Sequence, residues 1–96
     1  MNTITDAKLK KYFSLGKDAL AAALKASCKK GLEKERDYFL DVIQRYVSDA
    51  EHFYKKGDTV HAFAALNYAH GWLDAGARLG LWNVKDSRLF AGVDDD

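Results

Sequence analysis

Residues 55–80 read Lys-Lys-Gly-Asp-Thr-Val-His-Ala-Phe-Ala-Ala-Leu-Asn-Tyr-Ala-His-Gly-Trp-Leu-Asp-Ala-Gly-Ala-Arg-Leu-Gly, and this stretch decides the fold. Lys55 and Lys56 suit the last turn of a helix, whose dipole is negative at that end. Gly57 supplies the left-handed residue that stops it. Asp58 is a strong N-cap, because its carboxylate accepts a free first-turn N–H of the next helix. A link this short forces the two flanking helices to be antiparallel neighbours. Beyond it, Ala62, Ala65, Ala69, Trp72 and Gly76 fall on one line at helical spacing, and Phe63, Leu66, Leu73 and Ala77 on the adjoining one. An apolar arc this wide predicts a helix that touches two partners. Its small residues let neighbouring backbones approach. Gly80 ends it, and Leu81 can fold back on the last turn.

Working outward toward the N-terminus, Phe39, Ile43, Tyr46, Ala50 and Phe53 step by four, three, four and three, which is a bundle seam. Tyr38, Val42, Val47 and Tyr54 widen it. The helix spans about 34–56, with Asp41 and Arg45 as an i,i+4 pair on its outer face. Earlier still, Leu9, Phe13, Gly16, Leu20 and Leu24 recur with the same period, predicting a helix over about 5–28 that Thr3 or Thr5 can cap. Gly16 weakens it and can admit a bulky neighbour. Gly31 suits the residue that ends it. On the other side, residues 81–96 form a tail. Trp82, Val84, Leu89 and Phe90 are too apolar for solvent and are expected to pack on the bundle. Asp86 or Ser87 can cap a short turn, and Asp94–Asp96 are expected to fray. The expected fold is all-α: an up-and-down three-helix bundle, helices about 5–28, 34–56 and 58–79, with a short packed tail in one domain spanning 1–96. No internal repeat is evident.

The run Lys55-Lys56-Gly57-Asp58 followed by Asn67-Tyr68-Ala69-His70-Gly71-Trp72-Leu73-Asp74-Ala75-Gly76 closely resembles an uncharacterised archaeal family, the domain of unknown function 357. The resemblance covers about residues 38–84. It implies an up-and-down three-helix bundle, an archaeal cytoplasmic origin and no established activity, so it brings no catalytic residues to this chain.

The bulk properties narrow the function classes. Ninety-six residues, 48% hydrophobic and with twelve aromatics, suffice for one modest core. The single cysteine, Cys28, excludes an internal disulfide and a metal-type cysteine pair. Met1–Ser14 is mixed polar and charged rather than a secretory signal, and no apolar run approaches the roughly 18 residues of a membrane span. A cytoplasmic location and no membrane association are expected. Net charge is +1 but unevenly placed: residues 1–36 carry a balance of +5, residues 37–96 one of −4.

Four side chains form the most suggestive constellation. Asn67, His70, Asp74 and Arg78 step by three, four and four along one helical face. His70 and Asp74 can hydrogen-bond, which would orient the imidazole, and Asp74 can pair with Arg78. The line is either a ligand or partner patch or a polar ladder that fastens the tail or a neighbouring helix; anchoring by Trp72 and Leu73 favours the ladder. His70 and Asp74 could share a metal, but no third ligand is evident: His61 and Asp58 lie turns away, and His52 is on another helix. No metal site and no cofactor are expected. No Ser or Cys has an activating context and no phosphate loop is present, so an enzyme is not expected. A basic first helix bearing Lys8, Lys10, Lys11, Lys17 and Lys25 could touch phosphate backbones, although Asp6 and Asp18 interrupt it. Tyr12, Tyr38, Tyr46, Tyr54, Tyr68 and Trp82 could exceed what a three-helix core hides and form a self-association surface. The leading expectation is therefore a protein–protein interaction or self-association module, with a homodimer as one form. The alternatives are an RNA- or nucleotide-associated accessory domain using the basic helix, and small-molecule binding or catalysis at the His70/Asp74 face.

Overall fold

A computed structural model describes residues 4–91 and residue 93, and among them three helices make up the bundle: α1 (Asp6–Lys25), α2 (Glu33–Lys55) and α3 (Thr59–Leu79). The expected fold class holds. The starts of α1 and α3 and the ends of α2 and α3 have local chemical reasons. Thr5 caps α1, its Oγ1 accepting the Lys8 N–H at 3.1 Å. The alternative cap, Thr3, lies outside the described residues, as do Asp94–Asp96. Asp58 caps α3, with Oδ1 accepting the His61 N–H at 3.1 Å. Gly57 and Gly80 both take left-handed backbones, φ +80° and +86°. Around each, two back-bonds close the helix end: Asp58 N–H to Phe53 O at 2.9 Å and Gly57 N–H to Tyr54 O at 3.0 Å, then Leu81 N–H to Gly76 O at 2.9 Å and Gly80 N–H to Ala77 O at 3.2 Å. These satisfy carbonyls that the helix itself leaves unpaired.

The end of α1 differs from expectation. The helix stops at Lys25 with an extended cap at Ala26, six residues before Gly31. Gly31 is left-handed (φ +94°), but it prepares the start of α2, where its N–H donates to the Glu33 carboxylate at 3.0 Å. Outside help ends α1 instead. The Arg36 guanidinium donates to Leu24 O at 3.4 Å, and the strand-like link after Ala26 is tied to the far end of α3 by Lys29 N–H to Gly80 O and Asn83 N–H to Ser27 O, both 2.8 Å.

The core line of α2 is also shifted from expectation. Its buried residues are Leu40, Ile43, Val47 and Ala50, whereas Phe39, Tyr46 and Phe53 lie half-buried along one edge. Large rings cannot enter where small α3 residues set close spacing, so they wrap the seam and leave aliphatic side chains at its centre. α3 buries Ala62, Ala65, Leu66, Ala69, Leu73 and Gly76. It packs most extensively on α2 and also on α1, while α1 and α2 touch each other least. The expectation of a helix serving two partners is met.

The tail completes the core. Leu81, Trp82 and Phe90 are fully buried. Trp82 lies against Gly76, where an added Cβ would come within 2.0 Å of the indole ring, and its Nε1–H donates to Leu73 O at 2.9 Å. Glycine is required at position 76 because the ring occupies the place of its side chain. Asp86 caps the tail's short turn, its Oδ1 accepting the Arg88 N–H at 2.9 Å. No helix among the described residues is long and apolar enough to cross a membrane.

Candidate functional site

The polar line on α3 divides into separate tasks. Asp74 Oδ1 accepts the Ala91 backbone N–H at 2.9 Å, fastening the end of the tail to the bundle. His70 turns the other way, onto α1. Its Nε2 lies 3.5 Å from Tyr12 O, and the ring fills the notch at Gly16, where a Cβ would stand 3.3 Å from Nε2. The bulky neighbour expected beside Gly16 is thus this histidine. The His70–Asp74 hydrogen bond and the Asp74–Arg78 pair do not form; each carboxylate and imidazole bonds to a different element. Asn67 and Arg78 are exposed, and Arg78 makes no ion pair among the described residues. The ladder reading describes His70 and Asp74, and the four side chains do not converge on a common ligand position.

The five lysines of α1 separate into two rows. Lys10 and Lys17 line a groove of about 280 Å³ with Phe13, Glu51 and Tyr54. Both are ion-paired there, Lys10 with Asp6 at 3.2 Å and Lys17 with Glu51 at 3.4 Å. The Asp6 carboxylate also accepts the Tyr54 hydroxyl at 2.6 Å. That hydrogen bond, then the one from Lys10, holds the Asp6 carboxyl below its usual range, while the same contacts raise Lys10 and Tyr54. Lys8 and Lys11 line a different groove with Tyr12 and Leu15, and Lys8 Nζ stands 6.0 Å above the Tyr12 ring. Lys25 is exposed in the last turn. The helix does not present the five as one basic face.

At the start of α3, Asp58 Oδ2 lies 2.6 Å from His61 Nδ1, and His61 stacks on Phe53 at 5.1 Å. The His61 backbone N–H, ahead of its ring and of Lys56, draws the Asp58 carboxyl below the ordinary value. Among the described residues no three His, Cys, Asp or Glu side chains are grouped to hold a metal. Cys28 is half-buried, its thiol donating to Lys29 O at 3.4 Å.

The aromatic residues give the clearest surface. Tyr38 and Tyr68 are 62% and 61% exposed, while Tyr12, Tyr46 and Tyr54 are half-buried. Trp82 is wholly buried and therefore leaves the expected surface set. Tyr46 and Tyr68 stack at 5.4 Å across the α2–α3 seam, and Trp72 meets Phe39 edge-on at 4.6 Å and Tyr38 at 6.1 Å. Along this seam runs an open, mainly apolar groove of about 390 Å³, lined by Phe39, Asn67, Tyr68, Gly71, Trp72 and Ala75. Val60 (71%) and Leu79 (54%) extend the exposed apolar surface to both ends of α3. Sequence reasoning missed Val60, Gly71 and Leu79 as surface residues. The signal was present among the wheel positions of α3 that neither apolar line uses, where Val60, Ala64, Tyr68, Gly71, Ala75 and Leu79 outnumber the charged Asp74 and Arg78.

No curated protein and no solved structure matches the chain. The family described as "Protein of unknown function (DUF357)" matches residues 11–82. That span takes in most of α1, α2 and α3 and ends on the tryptophan that closes the core, reaching further toward the N-terminus than the resemblance read from residues 38–84. With three quarters of its length and all three helices covered, this chain belongs to the DUF357 family.

Proposed function

We propose that this protein is a protein–protein interaction module whose working surface is the outward face of α3 with the adjoining flank of α2. One observation carries the reading. Over its 21 residues the outward face of α3 bears one charge without an ion-pair partner among the described residues, Arg78, and the Asp74 carboxylate at its edge is tied to the tail, while Val60, Tyr68 and Leu79 stand more than half exposed. The outer faces of the other two helices carry ordinary solvent-facing charge: Lys11, Asp18 and Lys25 on α1, and Glu35, Asp41 and Arg45 on α2. A contiguous apolar patch rimmed by charge marks a surface that another macromolecule covers, and exposed tyrosine and tryptophan are enriched where such contacts form.

Catalysis and small-molecule binding at His70 and Asp74 have less support, since both side chains are spent on contacts within the chain. The test is capture from source lysate by immobilised chain, compared with a Tyr38→Glu/Tyr68→Glu variant whose helicity is checked by circular dichroism. Binding of a protein, whether another chain or a second copy, that the variant loses is expected. Unchanged capture by the variant, or none by either, would overturn the reading.

A further inference from the structure

Three glycines lie inside helices, and two have an internal reason. Gly16 makes room for His70 and Gly76 for Trp82. Gly71 has none: a Cβ built there meets no heavy atom within 4 Å. Glycine in a helix interior weakens it, so the fold bears this cost with no return inside the chain. Gly71 lies midway along the outward face of α3, on the floor of the apolar groove formed with Tyr68, Trp72 and Ala75. Something outside the chain comes close at this point.

Resting on the interaction-module reading, we propose that the occupant is a second copy of this chain, its α3 packed antiparallel on the first around a two-fold axis passing beside Gly71. Three properties of the face select a copy over another partner. The first is shape. With the axis between residues 71 and 72, Tyr68 falls opposite the copy's Ala75, and Ala64 opposite its Leu79, so at each level a large side chain meets a small one. The two Gly71 backbones meet at the centre, where absent side chains permit the closest approach of helix axes. One face of the Tyr68 ring stacks on Tyr46 and the other is open to receive the copy.

The second property is charge. A strongly charged partner would find one arginine near the end of the α3 face, an Asp74 carboxylate already bonded to the tail, and on the α2 flank Arg45 and Asp49 of opposite sign beside Tyr38 and Tyr46. For a copy, that arginine is harmless. Arg78 stands about 10 Å along the helix from the axis, so the two guanidinium groups lie about 20 Å apart, beyond the screening length of about 8 Å in physiological salt. The third is area. A helix of 21 residues is about 31 Å long. A band about 20 Å wide that includes the Tyr38 and Tyr46 flank of α2 covers roughly 600 Å² per copy, or roughly 1,200 Å² in total, which is the lower bound for a specific pair. The face is self-complementary, as a two-fold contact requires, and its size makes the dimer reversible.

Sedimentation of the full chain from about 1 μM to about 1 mM tests this. The weight-average mass is expected to climb from the 10.8 kDa of one chain toward twice that value. Gly71→Arg points into open space in the single chain and supplies a better helix former. Its thermal midpoint, measured where both proteins are monomeric, is expected to rise by about 4–8 °C. The same change puts two like charges and two side chains on the axis, so dimer affinity is expected to fall by about 100-fold or more. Opposite signs on folding and pairing would establish that Gly71 serves the second copy. A wild-type chain that stays monomeric throughout, or a folded Gly71→Arg that pairs as well as wild type, would overturn the proposal. If the wild-type chain is monomeric yet captures another protein through Tyr38 and Tyr68, only self-pairing fails and the interaction-module reading stands.

Discussion

Gly76 and Trp82 occupy one another's space: the indole ring fills the place where any side chain at 76 would project. Ala is a better helix former, yet Gly76→Ala must push a fully buried ring that is also held by its Nε1–H bond to Leu73 O. A net destabilisation of about 3 kcal/mol is expected from overpacking, read from the urea midpoint. Asp58 offers a second test. Its carboxyl is held below the usual carboxylate range, first by the His61 N–H. A lowered folded value means that the stability it contributes is present above the unfolded value and is lost as pH falls through the folded one. Asparagine caps helices as well but does not titrate there. Thermal midpoints of Asp58→Asn should therefore fall less steeply below about pH 4 than those of wild type. Caps and glycine stops of this kind were legible because they depend on residues within five positions of one another. The partners of His70 and Asp74 were not. Helical spacing shows which side chains share a face, but the Tyr12 carbonyl is 58 positions from His70 and the Ala91 N–H 17 from Asp74.

At the scale of elements, the apolar period placed all three helices, and the turn at Gly57–Asp58 fixed the pairing of α2 with α3. The end of α1 escaped because Ala26 is an extended cap without glycine, secured by Arg36 and by the strap to Gly80 and Asn83. Gly31 marked a left-handed residue correctly, but a single chain offers two helices for it to serve. The tail behaves as a fourth packing element. Phe90 is fully buried, so Phe90→Ala should cost about 3–4 kcal/mol in urea unfolding. Asp74→Ala should cost far less, about 1 kcal/mol, while leaving the three helices intact. It should release the tail's end, seen as faster hydrogen exchange at Ala91 and quicker tryptic cleavage after the exposed Arg88.

For the whole molecule, the wide apolar arc of α3 predicts two partners for that helix. α1 and α2 do cover it, but they leave its third side open, and periodicity cannot distinguish a face that is covered within the chain from one awaiting cover. The charge split between residues 1–36 and 37–96 does not become attraction across the bundle, since Lys17–Glu51 is the single ion pair joining different helices among the described residues. Cohesion comes instead from the two apolar clusters, one under the tail around Ile43, Leu73 and Trp82, the other at the opposite end around Leu9, Ala50 and Leu66.

The Gly57–Asp58 turn has a kinetic consequence. It joins the two helices that pack most extensively, so the richest contacts in the molecule lie between residues close along the chain. Little loop entropy opposes their meeting, and such local topologies fold quickly. Contacts of α1 with α3, separated by some fifty residues, and the seating of Trp82 and Phe90 must wait for that hairpin. Residues 33–79 are therefore expected to cross the barrier to folding first, with α1 closing over a scaffold already standing.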